Sequence, residues 1–185
     1  MKSKQEKRKY APYFEASCKK RKEYDVAQRF IEALDITNKG CYHSLAFAEK
    51  EPPDCEVHDE KNNIIGIEIT ELVNELAVRQ AANLTDQRYY PVYFWGEKDA
   101  GEVFDELGRK LREKDRKIYH KERYSKMLVV IFTDEPTLRY RKVLELLRDK
   151  IFPRFENIEE AYLLFSYDPD EDYCPYIKLN LEKNM

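Results

Sequence analysis

Glycine is scarce in this chain, with five in 185 residues, and neither a Walker sequence nor a GxGxxG run occurs. The glycine-rich phosphate cradles of the nucleotide-binding classes are therefore missing. Long apolar runs are missing too: no stretch reaches the roughly 20 residues needed to span a bilayer. The first residues, MKSKQEKRKYAPYFEASCKKRK, lack the apolar middle of a signal peptide. The four cysteines, at 18, 41, 55 and 174, include no CxxC pair, which argues against a disulfide framework or a zinc site. A cytoplasmic protein with reduced thiols is the expectation. His43, His58 and His120 have no mutual spacing that implies a metal site.

Charge and aromatics are plentiful. Charged residues make up 37% of the chain, and there are 14 Tyr and 9 Phe for burial. The net charge of −3 is unevenly spread. Residues 1–24 hold nine Lys or Arg against three Glu, a net +6, which leaves −9 on the remainder. A basic segment of this kind either contacts phosphates through counterion release or serves as a solubilising tail. The organisation expected is a basic arm over residues 1–20 and one domain over 21–185.

Apolar residues Val26, Ala27, Phe30, Ile31 and Leu34 predict a helix over Glu23–Leu34, and Cys41–Ala48 reads as a short strand. After Pro52-Pro53, two strands are expected at Asp54–Asp59 and Ile64–Thr70, joined by a turn at Glu60-Lys61-Asn62-Asn63. The second places Ile65, Ile67 and Ile69 on one face and Ile64, Gly66, Glu68 and Thr70 on the other. Further helices are predicted from Glu71 to about Leu84, from Asp99 to about Tyr119, and over Pro136–Ile151. Asp99 and Glu102 suit a capping box. Met127–Thr133 is a continuous apolar run of the kind found in a buried central strand. Ala161–Tyr167 and Tyr176–Leu181 complete an α/β sandwich built on a mixed sheet. Tyr89–Trp95 is aromatic; Trp95 and the Tyr89-Tyr90 pair suit base stacking or core packing.

The turn at 60–63 is central to the hairpin, so Asp54 and Glu68 should meet at one end of the sheet. Two adjacent carboxylates repel unless a cation lies between them, and such oxygen donors suit Mg²⁺ or Mn²⁺. A cation there can polarise a phosphodiester. The alternatives are a turn-capping Asp54 and a solvated Glu68.

The stretch Pro53-Asp54 … Glu68-Ile69-Thr70 resembles the PD-(D/E)xK, restriction endonuclease-like nuclease superfamily, with Thr70 where the motif Lys is expected. That resemblance implies a mixed β-sheet flanked by helices and a metal-dependent nuclease with Asp54 and Glu68 as metal ligands. DNA is then the expected substrate, and a homodimer is allowed, since many such nucleases act in pairs. The superfamily often carries a Glu on its first helix near the metal, and Glu23 fits by order, which makes it a further metal ligand, direct or through water. It also tolerates relocation of the motif lysine to a neighbouring helix.

Periodicity supports both additions. Lys114 lies seven residues after Leu107, near the middle of an apolar helix face, where an ammonium needs an anionic partner. Lys117 falls to the side. The alternative for Lys114 is a stem that covers apolar surface while its head reaches water. Glu23 aligns with Ala27, Phe30 and Leu34, whereas Glu32 points away; the alternative for Glu23 is an interaction with the helix dipole. Thr70 shares the face of Glu68 and either hydrogen-bonds a metal-bound water or is an ordinary β-branched strand residue; Gln80 falls on the apolar side of its predicted helix, where it could reach the site. Three functions follow: a divalent-metal nuclease, an inactive nuclease-fold module that binds nucleic acid or a protein, or an α/β interaction protein in which Asp54 and Glu68 never meet.

Overall fold

A computed structural model describes residues 19–37, 39–40, 42–73, 100–135, 138–168 and 170–182. The N-terminal arm through residue 18, Gln80, Tyr89, Tyr90, Trp95 and Asp99 lie outside these residues. The elements run α1 (Lys19–Ile36), β1 (His43–Phe47), β2 (Cys55–His58), β3 (Ile64–Glu71), α2 (Ala100–Asp115), β4 (Lys126–Thr133), α3 (Tyr140–Leu147), β5 (Glu160–Phe165) and β6 (Tyr176–Lys178). The six strands form one sheet in sequence order. Pairings are antiparallel from β1 through β3, parallel from β3 through β5, and antiparallel between β5 and β6. The expected α/β architecture, a mixed sheet flanked by helices, is what the chain adopts.

The sheet is covered on both sides, which explains why β4 is buried at every position after its first residue, Lys126. On one face, Val26, Ala27, Phe30 and Leu34 of α1 pack on Ile65, Ile67 and Ile69 of β3 and on Leu128, Val130 and Phe132 of β4. On the other, Leu107 and Leu111 of α2 and Val143 and Leu147 of α3 pack on Val129 and Ile131. Both crossover helices lie on this second face, as right-handed connections between parallel strands require.

The β2–β3 turn is held by Asp59, whose Oδ1 accepts the backbone N–H groups of Lys61 (2.9 Å) and Asn63 (2.8 Å). Asn62 takes a left-handed conformation, φ 59°, which asparagine tolerates. The register that follows pairs His58 with Ile64 and Cys55 with Ile67. Strand β1 is less regular: its register with β2 shifts between His43 and Ala46, and Ser44 has φ 56°.

Several boundaries depart from expectation. Glu71 does not begin a helix; it is the last residue of β3, opposite Phe132. Leu72 continues the pairing by donating its N–H to the Phe132 carbonyl at 2.7 Å. Helix α3 starts at Tyr140 rather than at Pro136, after a turn in which Leu138 N–H donates to the Glu135 carbonyl. Helix α2 stops at Asp115, four residues before Tyr119, and Ile118 is left 85% exposed. Asn157 takes over the end of α2, donating its backbone N–H to Asp115 Oδ1 at 2.7 Å and its amide to the Asp115 carbonyl.

Gly66 marks a tight spot beneath the site. A Cβ there would lie 2.5 Å from Met127 Sδ and 3.0 Å from Pro53 Cγ. Gly66→Ala is expected to cost about 1–2 kcal/mol through overpacking, read as a lower urea midpoint. An unchanged midpoint would mean that Met127 yields freely. Among the described residues, no helix is long and apolar enough to cross a membrane.

Candidate metal centre

The site forms where β2 begins and β3 continues. One further step of the hairpin register sets Asp54 opposite Glu68. In a strand, the N–H and C=O of one residue point to the same side, so Ile69 faces the gap that precedes Cys55, the first residue of β2. Buried backbone groups in such a gap need other partners. Asp54 supplies one: its Oδ2 accepts the Ile69 N–H at 2.7 Å. Lys114 supplies the other, donating from Nζ to the Ile69 carbonyl at 2.9 Å.

Glu68 points to the α2 side and is 0% exposed. Its Oε1 takes two ammonium groups, Lys114 Nζ at 2.6 Å and Lys117 Nζ at 2.5 Å. Its Oε2 is buried with no hydrogen-bond partner. A carboxylate oxygen stranded in this way is costly unless a cation or proton meets it. Lys114 reaches the carboxylate from the apolar face of α2 with Leu107 and Leu111, as its spacing predicts, and its side chain is 15% exposed.

Lys117 is the residue that helical periodicity misplaces. Once α2 ends at Asp115, the following turn brings Lys117 back to Glu68; Lys117 N–H closes that turn on the Lys114 carbonyl at 3.0 Å, and Tyr119 Oη donates to the same carbonyl. Burial opposes its charge, yet the hydrogen bond and proximity to Glu68 prevail and raise its pKa.

Glu23 is buried on α1 among Val26, Ala27 and Phe30, as expected, and pairs with Lys19 at 3.2 Å. Lys19 is a partner that the apolar phase of α1 does not single out; its i,i+4 spacing to Glu23 is the signal that does. Glu32 is exposed, as its helical phase implies. Thr70 lies half-buried two residues beyond Glu68 on the same strand face, opposite Ile131 on β4. Among the described residues no group of three or more His, Cys, Asp or Glu side chains could hold a metal ion.

Asp54 is the electrostatic centre of the cluster. Burial pushes its pKa up to about 7, and the Glu68 charge adds to the rise; the Ile69 N–H opposes it, Glu23 raises it further and Lys114 lowers it. The folded chain thus holds a proton that the unfolded chain, with a pKa near 3.8, releases. Asp54 therefore contributes stability that is fully present below 3.8 and is lost as the pH rises through about 7. Metal-free protein should lose stability between about pH 4 and about pH 7, and Asp54→Asn should flatten that slope. Urea melts across this range check it; an identical slope in the variant would show that Asp54 does not titrate there.

Two carboxylates, Asp54 and Glu68, are the acidic oxygen donors at this point. Mg²⁺ is commonly held by one or two carboxylates with water completing its shell, and Asp54 with the unpartnered Glu68 Oε2 provides two. Lys19, Lys20 and Lys117 all lie close enough to feel the Asp54 charge. No family model matches the chain, and no curated protein resembles it at a significant level.

Proposed function

We propose that the chain is a divalent-metal-dependent nuclease of the PD-(D/E)xK type that hydrolyses phosphodiester bonds in DNA. The observation that carries this reading is the buried, unpartnered Oε2 of Glu68 beside Asp54, at the end of the hairpin that follows Pro53. Asp54 and Glu68 would hold Mg²⁺ or Mn²⁺, with Glu23 contributing negative charge behind them. When bound, the cation supplies Lewis acidity to the phosphodiester.

The chain's own residues account for the remaining requirements. Lys114 takes the place of the lysine that the motif lacks at Thr70: its ammonium, held near Glu68, orients the attacking water and offsets charge on the phosphate. The Thr70 hydroxyl, on the same strand face, can hydrogen-bond a water. Lys19 and Lys20, with side chains 68% and 75% exposed, present charge to a phosphate backbone at the start of α1. The two described cysteines, Cys55 and Cys174, are free thiols, which suits a cytoplasmic setting.

Isothermal titration with Mn²⁺ tests the reading. Saturable binding near one ion per chain is expected, weakened by Asp54→Ala. A folded wild-type protein with no Mn²⁺ binding would favour the second reading, an inactive nuclease-fold module. The neutralised cluster favours that reading: Lys114 and Lys117 already sit on Glu68, and Lys19 on Glu23.

A further inference from the structure

The Lys114 ammonium touches the Ile69 carbonyl oxygen, which a cation on the free Glu68 Oε2 would also seek, and it lies on the other oxygen of the same carboxylate. Nζ lies 2.6 Å from Glu68 Oε1 and 2.9 Å from the Ile69 carbonyl oxygen. Ile69 faces this point because β2 begins at Cys55, and its N–H is already taken by Asp54. One peptide group thus joins the acidic residue to the lysine. Lys117 differs: it donates to Glu68 Oε1, and its side chain is 40% exposed, against 15% for Lys114.

We propose that Lys114 is an internal stand-in for the divalent cation, occupying the Glu68–Ile69 oxygens in the metal-free protein and leaving the Ile69 carbonyl when the ion binds. This rests on the metal-site reading above and adds a form of regulation to it. The ammonium neutralises Glu68 while no ion is present, so the fold does not depend on metal. The ion then binds in competition with Lys114, and its arrival frees the ammonium for a phosphate. Apparent affinity is lowered by the fraction of time that the ammonium holds the oxygens.

Two measurements test this. The first compares Mn²⁺ affinity by calorimetry in wild type, Lys114→Met and Lys117→Met. Lys114→Met is expected to bind about tenfold more tightly than wild type, the factor for a competitor present some nine-tenths of the time. Lys117→Met should gain less, since it removes the same charge without vacating the carbonyl. Equal gains in the two variants would reduce the effect to net charge and overturn the proposal, as would unchanged or weaker binding in Lys114→Met. If wild type and both variants bind no Mn²⁺, the metal-site reading and this inference fall together. Binding in wild type without the gain removes the inference alone.

The second measurement uses wild type only and does not depend on a variant folding. Lys114 acylation by an amine-reactive reagent is followed by mass spectrometry in EDTA and in saturating Mn²⁺. Labelling of Lys114 should rise several-fold with the ion. Equal protection in both states would show that the ammonium stays on its oxygens and would refute displacement.

Discussion

Wild type is expected to nick plasmid DNA in Mn²⁺, and the Asp54→Ala and Glu68→Ala proteins are expected to leave it supercoiled. The expected loss is roughly a thousandfold or more, because an electrostatic centre acting on a developing phosphorane contributes at least as much as one oxyanion donor. The size of the effect follows from where the charge sits. Asp54 directs one oxygen to the Ile69 N–H, and Glu68 has one oxygen shared by two lysines and another buried without a partner. Removing either carboxylate leaves one acidic donor among several ammoniums, which repels a divalent ion. Quantified gel assays check this, with melting curves to establish folding. Wild-type nicking rates in both folded variants would end the proposed mechanism.

The second large effect concerns stability. Glu68→Leu in the metal-free protein is expected to cost about 3–5 kcal/mol, the range for removing one partner of a buried ion pair. Most of this arises at Lys114, since Lys117 is exposed enough to rehydrate. The double variant Glu68→Leu/Lys114→Leu should recover most of the loss, because two apolar groups replace a desolvated pair. Urea unfolding of the two proteins measures the difference. A Glu68→Leu protein as stable as wild type would mean that the pair contributes nothing to the fold. Recovery in the double variant would mark the charges as retained at a cost, as expected of groups kept for chemistry.

Much of the framework is readable from local pattern. The prolines at 52 and 53, the Asp59–Asn63 turn and the alternating isoleucines specify the hairpin and its register. The MLVVIFT run identifies the central strand, and the spacing from Leu107 identifies Lys114 as an inward lysine. What escapes local pattern is set by tertiary contacts. The end of α2 depends on Asn157, 42 residues away, and with that end moves the placement of Lys117. Glu71 looks like a helix start because acids favour first turns, but the parallel pairing with Phe132 keeps it extended. The rank of Lys117 among the site residues could not be read from helical phase for the same reason: it does not belong to the helix.

Strand β1 has a consequence for assembly. It lies at one edge of the sheet, where unpaired peptide groups would ordinarily invite another chain to add on. The shift between His43 and Ala46 and the left-handed Ser44 break the straight row of donors and acceptors such an addition would need. Two copies of this chain are therefore poorly suited to fuse their sheets across that border. The irregular margin on this side would guard against runaway stacking.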